Sequence, residues 1–359
     1  MANYYLRLNM NKPIIDVIKF KTNDYSKYSK IFQAENSADI VSDKIKKYKL
    51  NRRCTLSIII PYFDNLRNIR KTLLSINYQK NIDFNRIETI IINDSDKNVD
   101  FLKNSKLNYN LIVINNAHNF GAAISRNIGC GFSTKKYVLF LDSDVVLEPE
   151  YLYQHLLRHQ NFSDIITLSF YQTTNITNKN ISNDNIKKFK IKIKKLNDFR
   201  YHLDLNTLLN LKLRKRKAIN LINETNKFMD FGFGKKIEYW SLANMVTTSN
   251  LMISREIVNI VGGFDSCFKF AQWEDTAIGA KLIAINQLVI PCLATNLFKI
   301  EHKRKYNFKK YFIENERKYN DILKKPIKVH SKSYLFKKYL SKRYVKNIIK
   351  IKGVFCANN

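Results

Sequence analysis

The chain has 359 residues, of which 45% are hydrophobic, and a formal net charge of +32 at pH 7. This composition supports a folded protein with a sizeable core and excludes a disordered tail. The charge indicates a polyanionic partner such as nucleotide phosphates, nucleic acid or anionic lipid. Scattered cysteines without CxxC spacing indicate neither disulfides nor zinc, and no apolar run reaches the roughly 18 residues of a membrane span. We therefore expect a cytoplasmic protein.

Short apolar runs alternate with helical patterns from Thr55 onward, after an N-terminal extension (residues 1–52) without recognisable motifs. Helices are predicted over Asn65–Gln79 and Ala122–Cys130 from their apolar spacing. Continuous apolar strands indicate a sheet buried on both faces, as in parallel α/β proteins. We predict such a domain over residues 53–302. Its first four strands are predicted at Thr55–Pro61, Glu88–Asp94, Leu111–Asn116 and Tyr137–Asp142.

Two segments depart from this pattern. Residues 175–236 are rich in Asn and Lys and are predicted to be a helical insertion or lid. Residues 303–359 carry eighteen Lys and Arg against three acids. Between Lys332 and Lys352 the apolar residues fall on one face of a predicted helix. This helix could pack on the domain with a solvated basic face. We favour a helix that lies on an anionic membrane at the inner leaflet.

Paired aspartates follow the fourth predicted strand, in the segment FLDSD. Asp142 and Asp144 are two residues apart in an extended segment, so their side chains point the same way. Two converging carboxylates suit Mg²⁺ or Mn²⁺, which complete their coordination with water and phosphate oxygens. The structural alternative is that Asp142 or Asp144 caps a helix predicted over Glu148–Gln160.

Further polar residues are predicted at the same edge of the sheet. Asp64 follows the first strand and Asp94 the second, and parallel α/β sheets bind ligands at the carboxyl ends of their strands. In NFGAAISRN, Gly121 would let the backbone approach a ligand, and Arg126 lies one or two turns into a helix, where it suits a diphosphate. Three carboxylates at one edge indicate a site rather than a set of caps.

The segment WEDTAIGAKL supplies a candidate general base. Glu274 and Asp275 lie at the start of a predicted helix, where either could take a proton from an attacking hydroxyl. The helix dipole alone also favours acids in a first turn. His302 follows a short predicted strand and is a candidate third metal ligand, or else an ordinary surface or core histidine.

Four motifs in order, SIIIPYFDN, IIINDSD, NFGAAISRN and FLDSD, resemble the signature of family 2 glycosyltransferases of the GT-A fold. The segment SNLMISREIVNIVGGFDSCF, followed by WED and His302, is similar to the C-terminal half of bacterial chondroitin-type polymerases and galactosyltransferases. The resemblance covers about Thr55 to His302 apart from the insertion. It implies a Rossmann-like, mostly parallel sheet with flanking helices, a helical insertion and a basic C-terminal helical extension.

The resemblance also implies an inverting, metal-dependent hexosyltransferase that uses Mn²⁺ or Mg²⁺. Its donor would be a nucleotide sugar, a UDP-sugar, and its acceptor a glycan, a lipid-linked saccharide or a peptide. Donor-binding roles are implied for nine residues: Pro61, Tyr62, Asp64, Asp94, Asn119, Gly121, Arg126, Asp142 and Ser143.

The remaining implied roles concern the metal, the acceptor and the base. Asp142, Asp144 and His302 would be the metal ligands. Trp273 and Glu274 would bind the acceptor, and Asp275 would be the base. The family usually has glycines between the Trp and the Glu-Asp pair, whereas here Trp273 directly precedes Glu274. Because the loop lacks these glycines, its contacts with the acceptor need not follow those of the family.

Two other function classes share features with this sequence. DSDVVL also resembles the nucleophile motif of haloacid-dehalogenase-type phosphatases, but those enzymes place it on their first strand and need a later GDxxxD motif, which this sequence lacks. The charge and the interleaved aromatic and basic residues would suit a nucleic-acid-binding protein. That class leaves the acids at the strand ends unexplained, so we expect no nucleic-acid partner.

Overall fold

The computed structural model describes residues 11–19, 49–169, 171–174, 183–187, 243, 246–269, 272–292, 295, 297–300 and 308–354. The strands are β1 (Leu56–Tyr62), β2 (Ile87–Asn93), β3 (Asn110–Asn116), β4 (Tyr137–Leu141), β5 (Val145–Leu147), β6 (Ile165–Leu168), β7 (Tyr171–Thr174), β8 (Asn250–Ser254), β9 (Leu288–Pro291), β10 (Leu297–Ile300) and β11 (Val345–Ile351). The helices are α1 (Ile14–Lys19), α2 (Leu66–Asn77), α3 (Ala122–Phe132), α4 (Tyr151–Asn161), α5 (Asn183–Lys187), α6 (Arg255–Ile260), α7 (Glu274–Ala284), α8 (Phe308–Leu323) and α9 (Tyr334–Tyr339).

Eight of the described strands form one mixed sheet in the order β11-β3-β2-β1-β4-β8-β6-β9. β3, β2, β1 and β4 are mutually parallel, so the predicted parallel α/β core is confirmed. β8 runs antiparallel to both β4 and β6, and β11 runs antiparallel to β3. In the same described part, β5, β10 and β7 form a smaller sheet. Because β4 and β5 are separated by residues 142–144, the DSD segment connects the two sheets.

The central strands read as continuous apolar runs because helices cover both faces of the sheet. Ile59 of β1 faces the core that includes Ile128 of α3. Ile58 and Ile60 face the opposite core, with Ile69 of α2. Helix α3 lies close to β1, since a Cβ on Gly129 would lie 2.3 Å from Cγ2 of Ile59. This close packing fixes the helix that carries Arg126.

Residues 332–352 do not form the predicted amphipathic helix. α9 ends at Tyr339, and β11 then pairs with β3, from Val345 opposite Asn116 to Ile351 opposite Leu111. That prediction is wrong because the exposed backbone edge of β3 needs hydrogen-bond partners, and a β-branched segment such as VKNIIKI supplies them as a strand. The predicted helical character holds for α8 and α9.

The described part of the N-terminal extension packs against the domain. Ile14 and Val17 of α1 are buried in the core cluster to which α7 and α8 also contribute, and the Ile14 N–H donates to the Lys325 carbonyl at 2.9 Å. Of the predicted insertion, residues 183–187 form α5, with Ile186 buried against Val146. The rest of the predicted lid lies outside the described residues. None of the described helices is both long and apolar enough to span a membrane.

Candidate active site

The candidate site centres on a buried arginine that meets three carboxylates. Arg126, on α3, is 4% exposed. Its Nη2 lies 3.0 Å from Oδ1 of Asp142, after β4, and its Nη1 lies 3.3 Å from Oε1 of Glu274 and 3.7 Å from Oδ1 of Asp275, in the first turn of α7. Burial would lower the pKa of Arg126, but the three carboxylates outweigh it and raise that pKa. The guanidinium therefore stays charged and holds these elements together.

Asp142 is enclosed by two cations of the chain. Its Oδ1 accepts from Arg126, and its Oδ2 accepts from Nζ of Lys299 at 3.0 Å. Burial would raise the pKa of Asp142, but Lys299 and Arg126 hold it at about 2. Burial would likewise lower the pKa of Lys299, and Asp142 and Asp144 raise it instead. The charge of this strand-end carboxylate is thus neutralised by protein side chains.

Asp144 lies where the main sheet passes into the smaller one. It is 4% exposed, and its carbonyl accepts from the Ile300 N–H at 2.8 Å. The interpretation of Asp142 or Asp144 as a helix cap is wrong, because α4 begins after β5 and has Glu150 as its N-cap. The carbonyl of Ser143 accepts from Oγ1 of Thr72 on α2 at 3.0 Å, which fixes this connection.

The described residues contain no group of three or more His, Cys, Asp and Glu side chains that could hold a metal ion. His302, the predicted third ligand, is beyond the described part of this region. Asp142 and Asp144 are present at one connection, and one or two carboxylates are the usual protein contribution to a Mg²⁺ site. The chemistry of these donors therefore fits such a cation, although Lys299 and Arg126 hold both oxygens of Asp142.

Asp94 organises the loop before α3. Its carboxylate accepts from the N–H groups of Phe120 and Gly121, at 2.9 and 2.7 Å, and from Nδ2 of Asn116 at 2.7 Å. Burial raises its pKa, and these hydrogen bonds oppose the rise. Gly121 has a φ of 84°, and a Cβ there would lie 2.3 Å from the Lys269 carbonyl oxygen. The structure thus engages Asp94 within the protein, in contacts that the sequence did not predict.

The residues predicted to hold the nucleotide base lie at the end of β1. Tyr62 is buried in the ladder with β2, opposite Asn93. Asp64 has a φ of 51° and its carboxylate lies 2.5 Å from Nζ of Lys97. At the loop before α3, Oδ1 of Asn119 accepts from the Gly121 N–H at 3.2 Å. These loops follow the carboxyl ends of β1 and β3, the two parallel strands on either side of β2.

Glu274 and Asp275 are adjacent but differ in accessibility. Glu274 is 3% exposed, and burial, followed by the charge of Asp275, raises its pKa to about 7 against the opposing effect of Arg126. The Asp275 side chain is 28% exposed and accepts from the Thr248 hydroxyl. Both acids lie in the first turn of α7, as the helix-dipole interpretation predicts. Asp275 is the one that solvent reaches.

The loop before α7 adopts glycine-like backbone angles without glycine. Gln272 has a φ of 120° and Trp273 a φ of 67°. Helix α8 supports them: Nδ2 of Asn315 donates to the Gln272 carbonyl at 3.2 Å, and the Tyr319 ring stacks on Trp273 with centroids 4.9 Å apart. Non-glycine residues in this region cost free energy and persist where the surrounding contacts hold them, often at functional sites.

Two residues at the site are not predicted from the sequence. Lys299 is missed because β10 reads as a plain apolar strand, although a lone lysine inside LFKI is a signal of a charge with a partner in the fold. Thr248, in the segment VTTSN, gives no signal, because its contact with Asp275 depends on the packing of two distant segments. The assembled site offers the partly exposed carboxylate of Asp275 near Arg126, and Asp142 lies between Arg126 and Lys299. Such a set of groups suits a substrate with both a hydroxyl and phosphates.

Residues 57–222 match the family model described as Glycosyl transferase family 2. An uncharacterized glycosyltransferase of Haemophilus influenzae is 36% identical over 95 residues, which are 26% of this chain and 31% of that protein. The uncharacterized glycosyltransferase YibD of Escherichia coli is 33% identical over 110 residues, 30% of this chain and 31% of that protein. The chain therefore spans about a third of the length of these curated relatives.

Several solved structures are similar at low identity. S. aureus TarS is 16% identical with a TM-score of 0.42, covering 74% of this chain and 39% of that one. TarS 1–349 is 16% identical with a TM-score of 0.43, covering 75% and 65%. GalNAc-T7 with UDP, GalNAc and Mn²⁺ is 13% identical with a TM-score of 0.47, covering 81% and 55%.

Proposed function

We propose that this chain, whose residues 57–222 match the glycosyl transferase family 2 model, transfers a hexose from a UDP-sugar to a hydroxyl group, with inversion at the anomeric carbon. The acceptor would be a glycan, a lipid-linked saccharide or a peptide. The observation that carries this proposal is the meeting of Arg126 with Asp142, Glu274 and Asp275. These groups come from distant parts of the chain and converge at the carboxyl end of the parallel strands, where α/β sheets bind ligands.

Asp275 is the proposed general base. Its partial exposure would let an acceptor hydroxyl reach it, and the Thr248 hydroxyl orients it. It would take the proton of that hydroxyl as the oxygen attacks the anomeric carbon from the face opposite the leaving diphosphate, through an oxocarbenium-like transition state by analogy with glycoside hydrolysis. One displacement inverts the configuration. Buried Glu274 would act through Arg126, by keeping the guanidinium in place.

The proposed cation is Mn²⁺ or Mg²⁺, held by Asp144, Asp142 and His302. When bound, it would act as a Lewis acid on the leaving diphosphate. Ile300 donates its N–H to the Asp144 carbonyl and precedes His302 by two residues, which supports assigning His302 to the same cation. Arg126 would lie beside the diphosphate at the same connection.

The proposed donor site follows the strand ends. Pro61, Tyr62 and Asp64 would hold the base. Asn119, Gly121 and Ser143 would contribute through the loop before α3 and the connection after β4. Trp273 would contact the acceptor. The hydrogen bonds from Phe120 and Gly121 to Asp94 support a role for that carboxylate in shaping the donor loop.

A panel of nucleotide sugars tests this function. Purified protein is incubated with each donor, with Mn²⁺, with Mg²⁺ or with EDTA, and release of the nucleoside diphosphate is measured by chromatography. Metal-stimulated release from at least one UDP-sugar is expected, because water can replace the acceptor hydroxyl as a slow nucleophile. The proposal would be contradicted if no donor released its nucleoside diphosphate, either alone or with a glycan, a lipid-linked saccharide or a peptide added as acceptor.

We also propose that the enzyme associates peripherally with anionic membrane at the inner leaflet. Since no continuous helix forms over residues 332–352, the support is the exposed surface from α9 to β11. It carries Lys342, Arg343, Lys346 and Lys350 beside the exposed apolar residues Leu340 and Ile348. Basic side chains near an anionic bilayer each contribute about 1 kcal/mol of attraction.

A further inference from the structure

The cation beside the paired aspartates in this structure is a lysine of the chain itself. Nζ of Lys299, on β10, lies 3.0 Å from Oδ2 of Asp142. The other oxygen, Oδ1, accepts from Nη2 of Arg126 at the same distance. Each oxygen of this carboxylate thus faces a positive charge, at the place where the DxD spacing predicts a divalent cation.

The backbone fixes Lys299 in this position. It lies in the middle strand of the smaller sheet, opposite Val145 of β5 and Thr173 of β7. Its Nζ is 5.8 Å from the centre of the Tyr171 ring. The side chain is 30% exposed, so the ammonium borders both the aspartates and solvent. An ammonium held 3.0 Å from Oδ2 of Asp142 occupies the position from which another cation would approach that oxygen.

We propose that Lys299 competes with the divalent cation for Asp142. In the metal-free protein the ammonium neutralises the aspartate pair, and it must leave Asp142 before a metal ion can bind both carboxylates. The exchange breaks the ion pair between Lys299 and Asp142 and forms a bond between Asp142 and the metal, while the lysine keeps its proton. This inference rests on the proposed function, since it assigns the cation to Asp142 and Asp144.

The displaced ammonium has a partner once the donor is bound. A metal ion that arrives at Asp142 repels a neighbouring ammonium, so Lys299 must turn toward solvent. A donor diphosphate would lie on that side, and it carries negative charge. Lys299 therefore makes metal binding weak in the absence of nucleotide and couples it to donor binding, because each ligand favours the same position of the lysine.

Mn²⁺ binding without nucleotide tests the competition directly. Calorimetric titrations compare the wild type, Lys299→Met, Lys299→Arg and Lys332→Met. Lys299→Met is expected to bind Mn²⁺ at least about tenfold more tightly, because the competing charge is gone. Lys299→Arg should resemble the wild type. Lys332→Met should also bind Mn²⁺ like the wild type. Lys332 is 75% exposed and pairs with Glu256 at 2.8 Å, so this substitution removes an equal charge away from the site.

Equal Mn²⁺ affinity of the wild type and Lys299→Met would overturn the inference, as would no binding by either. Thermal unfolding checks that each variant is folded, and Lys299→Gln replaces Lys299→Met if the methionine variant is not. Donor hydrolysis is measured separately. A wild type that hydrolyses no nucleotide sugar would count against the proposed function, whereas the Mn²⁺ titration would still decide whether Lys299 competes at Asp142.

Discussion

Arg126 and its three carboxylates form an ion cluster whose members have different exposures. Arg126 and Glu274 are buried, whereas the side chains of Asp142 and Asp275 remain about one quarter exposed. A buried ion pair is costly unless its groups are mutually satisfied. Buried Glu274 therefore serves to hold Arg126 in place, and the partly exposed Asp142 and Asp275 are the carboxylates of this cluster that can contact substrate and cation.

Asp275→Asn should separate donor binding from catalysis. The amide keeps the shape of the side chain but cannot accept the acceptor's proton, and a positioned general base typically contributes about 10² to 10⁴ in rate. Sugar transfer is expected to fall by that factor, while UDP binding measured by calorimetry is retained. Asp321→Asn, on the exposed face of α8, is the matched control. Near-normal turnover, or a product with retained anomeric configuration, would rule out Asp275 as the base of an inverting reaction.

Asp144→Ala should remove the effect of divalent cations on UDP binding. Asp144 is the second aspartate of the DxD segment and is buried at the connection between the two sheets, so its loss should remove one of the two proposed carboxylate ligands of the cation. UDP affinity is measured with Mn²⁺ and with EDTA, and circular dichroism checks the fold. If Mn²⁺ still strengthens UDP binding to the same extent as in the wild type, Asp144 is not a ligand of that cation.

Helix α4 and strand β6 share a buried polar cluster that should make the fold sensitive to acid. Nδ1 of His155 lies 2.7 Å from the Thr167 hydroxyl, and Nε2 of His159 lies 3.1 Å from the same oxygen. Burial lowers the pKa of His155 well below its usual value and that of His159 to about 3. Below the unfolded pKa of about 6.5, the unfolded chain therefore binds protons that the folded chain excludes.

The free energy of unfolding should accordingly fall as pH drops from about 6.5 toward 5, by roughly 1 kcal/mol per pH unit for each histidine. From about one pH unit above 6.5 both states are neutral, and the contribution no longer changes. Urea unfolding at several pH values compares the wild type with His159→Gln, which can hydrogen-bond but cannot take up the proton. The variant should lose about half of this pH dependence. An unchanged slope would show that His159 is protonated in the folded state.

The edge strand β11 allows a matched pair of substitutions. Ile349 packs against the core on one face of the sheet, whereas Ile348, on the other face, is 40% exposed. Ile349→Asn should lower the free energy of unfolding by about 1 to 2 kcal/mol through lost apolar burial, and Ile348→Asn by much less. Both substitutions replace Ile by Asn in the same strand, so they alter strand propensity equally and differ only in the burial that is lost. Equal destabilisation would therefore mean that β11 does not pack as described.

Over the whole molecule, a large part of the net charge of +32 lies on the C-terminal segment, residues 303–359. Deleting this segment would be a poor test of membrane association, because it would remove β11 and expose the edge of β3. Charge neutralisation keeps the strand in place. The fourfold variant Lys342→Gln, Arg343→Gln, Lys346→Gln and Lys350→Gln is therefore the suitable protein to compare with the wild type.

Co-sedimentation with phosphatidylglycerol-containing vesicles at low salt should be about a thousandfold weaker for the fourfold variant, at roughly 1 kcal/mol per basic residue. Four exposed basic residues elsewhere, Arg52, Arg53, Lys80 and Lys136, are replaced by Gln as a control of equal charge. If both variants lose binding equally, total charge and not this surface drives association. Wild-type protein that never sediments with these vesicles would refute the membrane proposal.

Local patterns determined the elements around the site. The continuous apolar runs of β1, β2, β3 and β4 predicted a parallel core, because a strand buried on both faces needs apolar residues at every position. The spacing of apolar residues likewise predicted α2 and α3. The ordered motifs carried the family resemblance, and that resemblance implied one site for Arg126, Asp142 and Asp275.

Tertiary structure decided what each charge faces and which secondary structure the tail adopts. VKNIIKI is compatible with a helix face, and the open edge of β3 makes it a strand. The spacing of Asp142 and Asp144 indicated a cation but could not show that Lys299, 157 residues away from Asp142, lies against it. Nor could it show that Asp94 binds the loop at Gly121. Sequence patterns report periodicity within an element, whereas the partner of a buried charge depends on how distant elements pack.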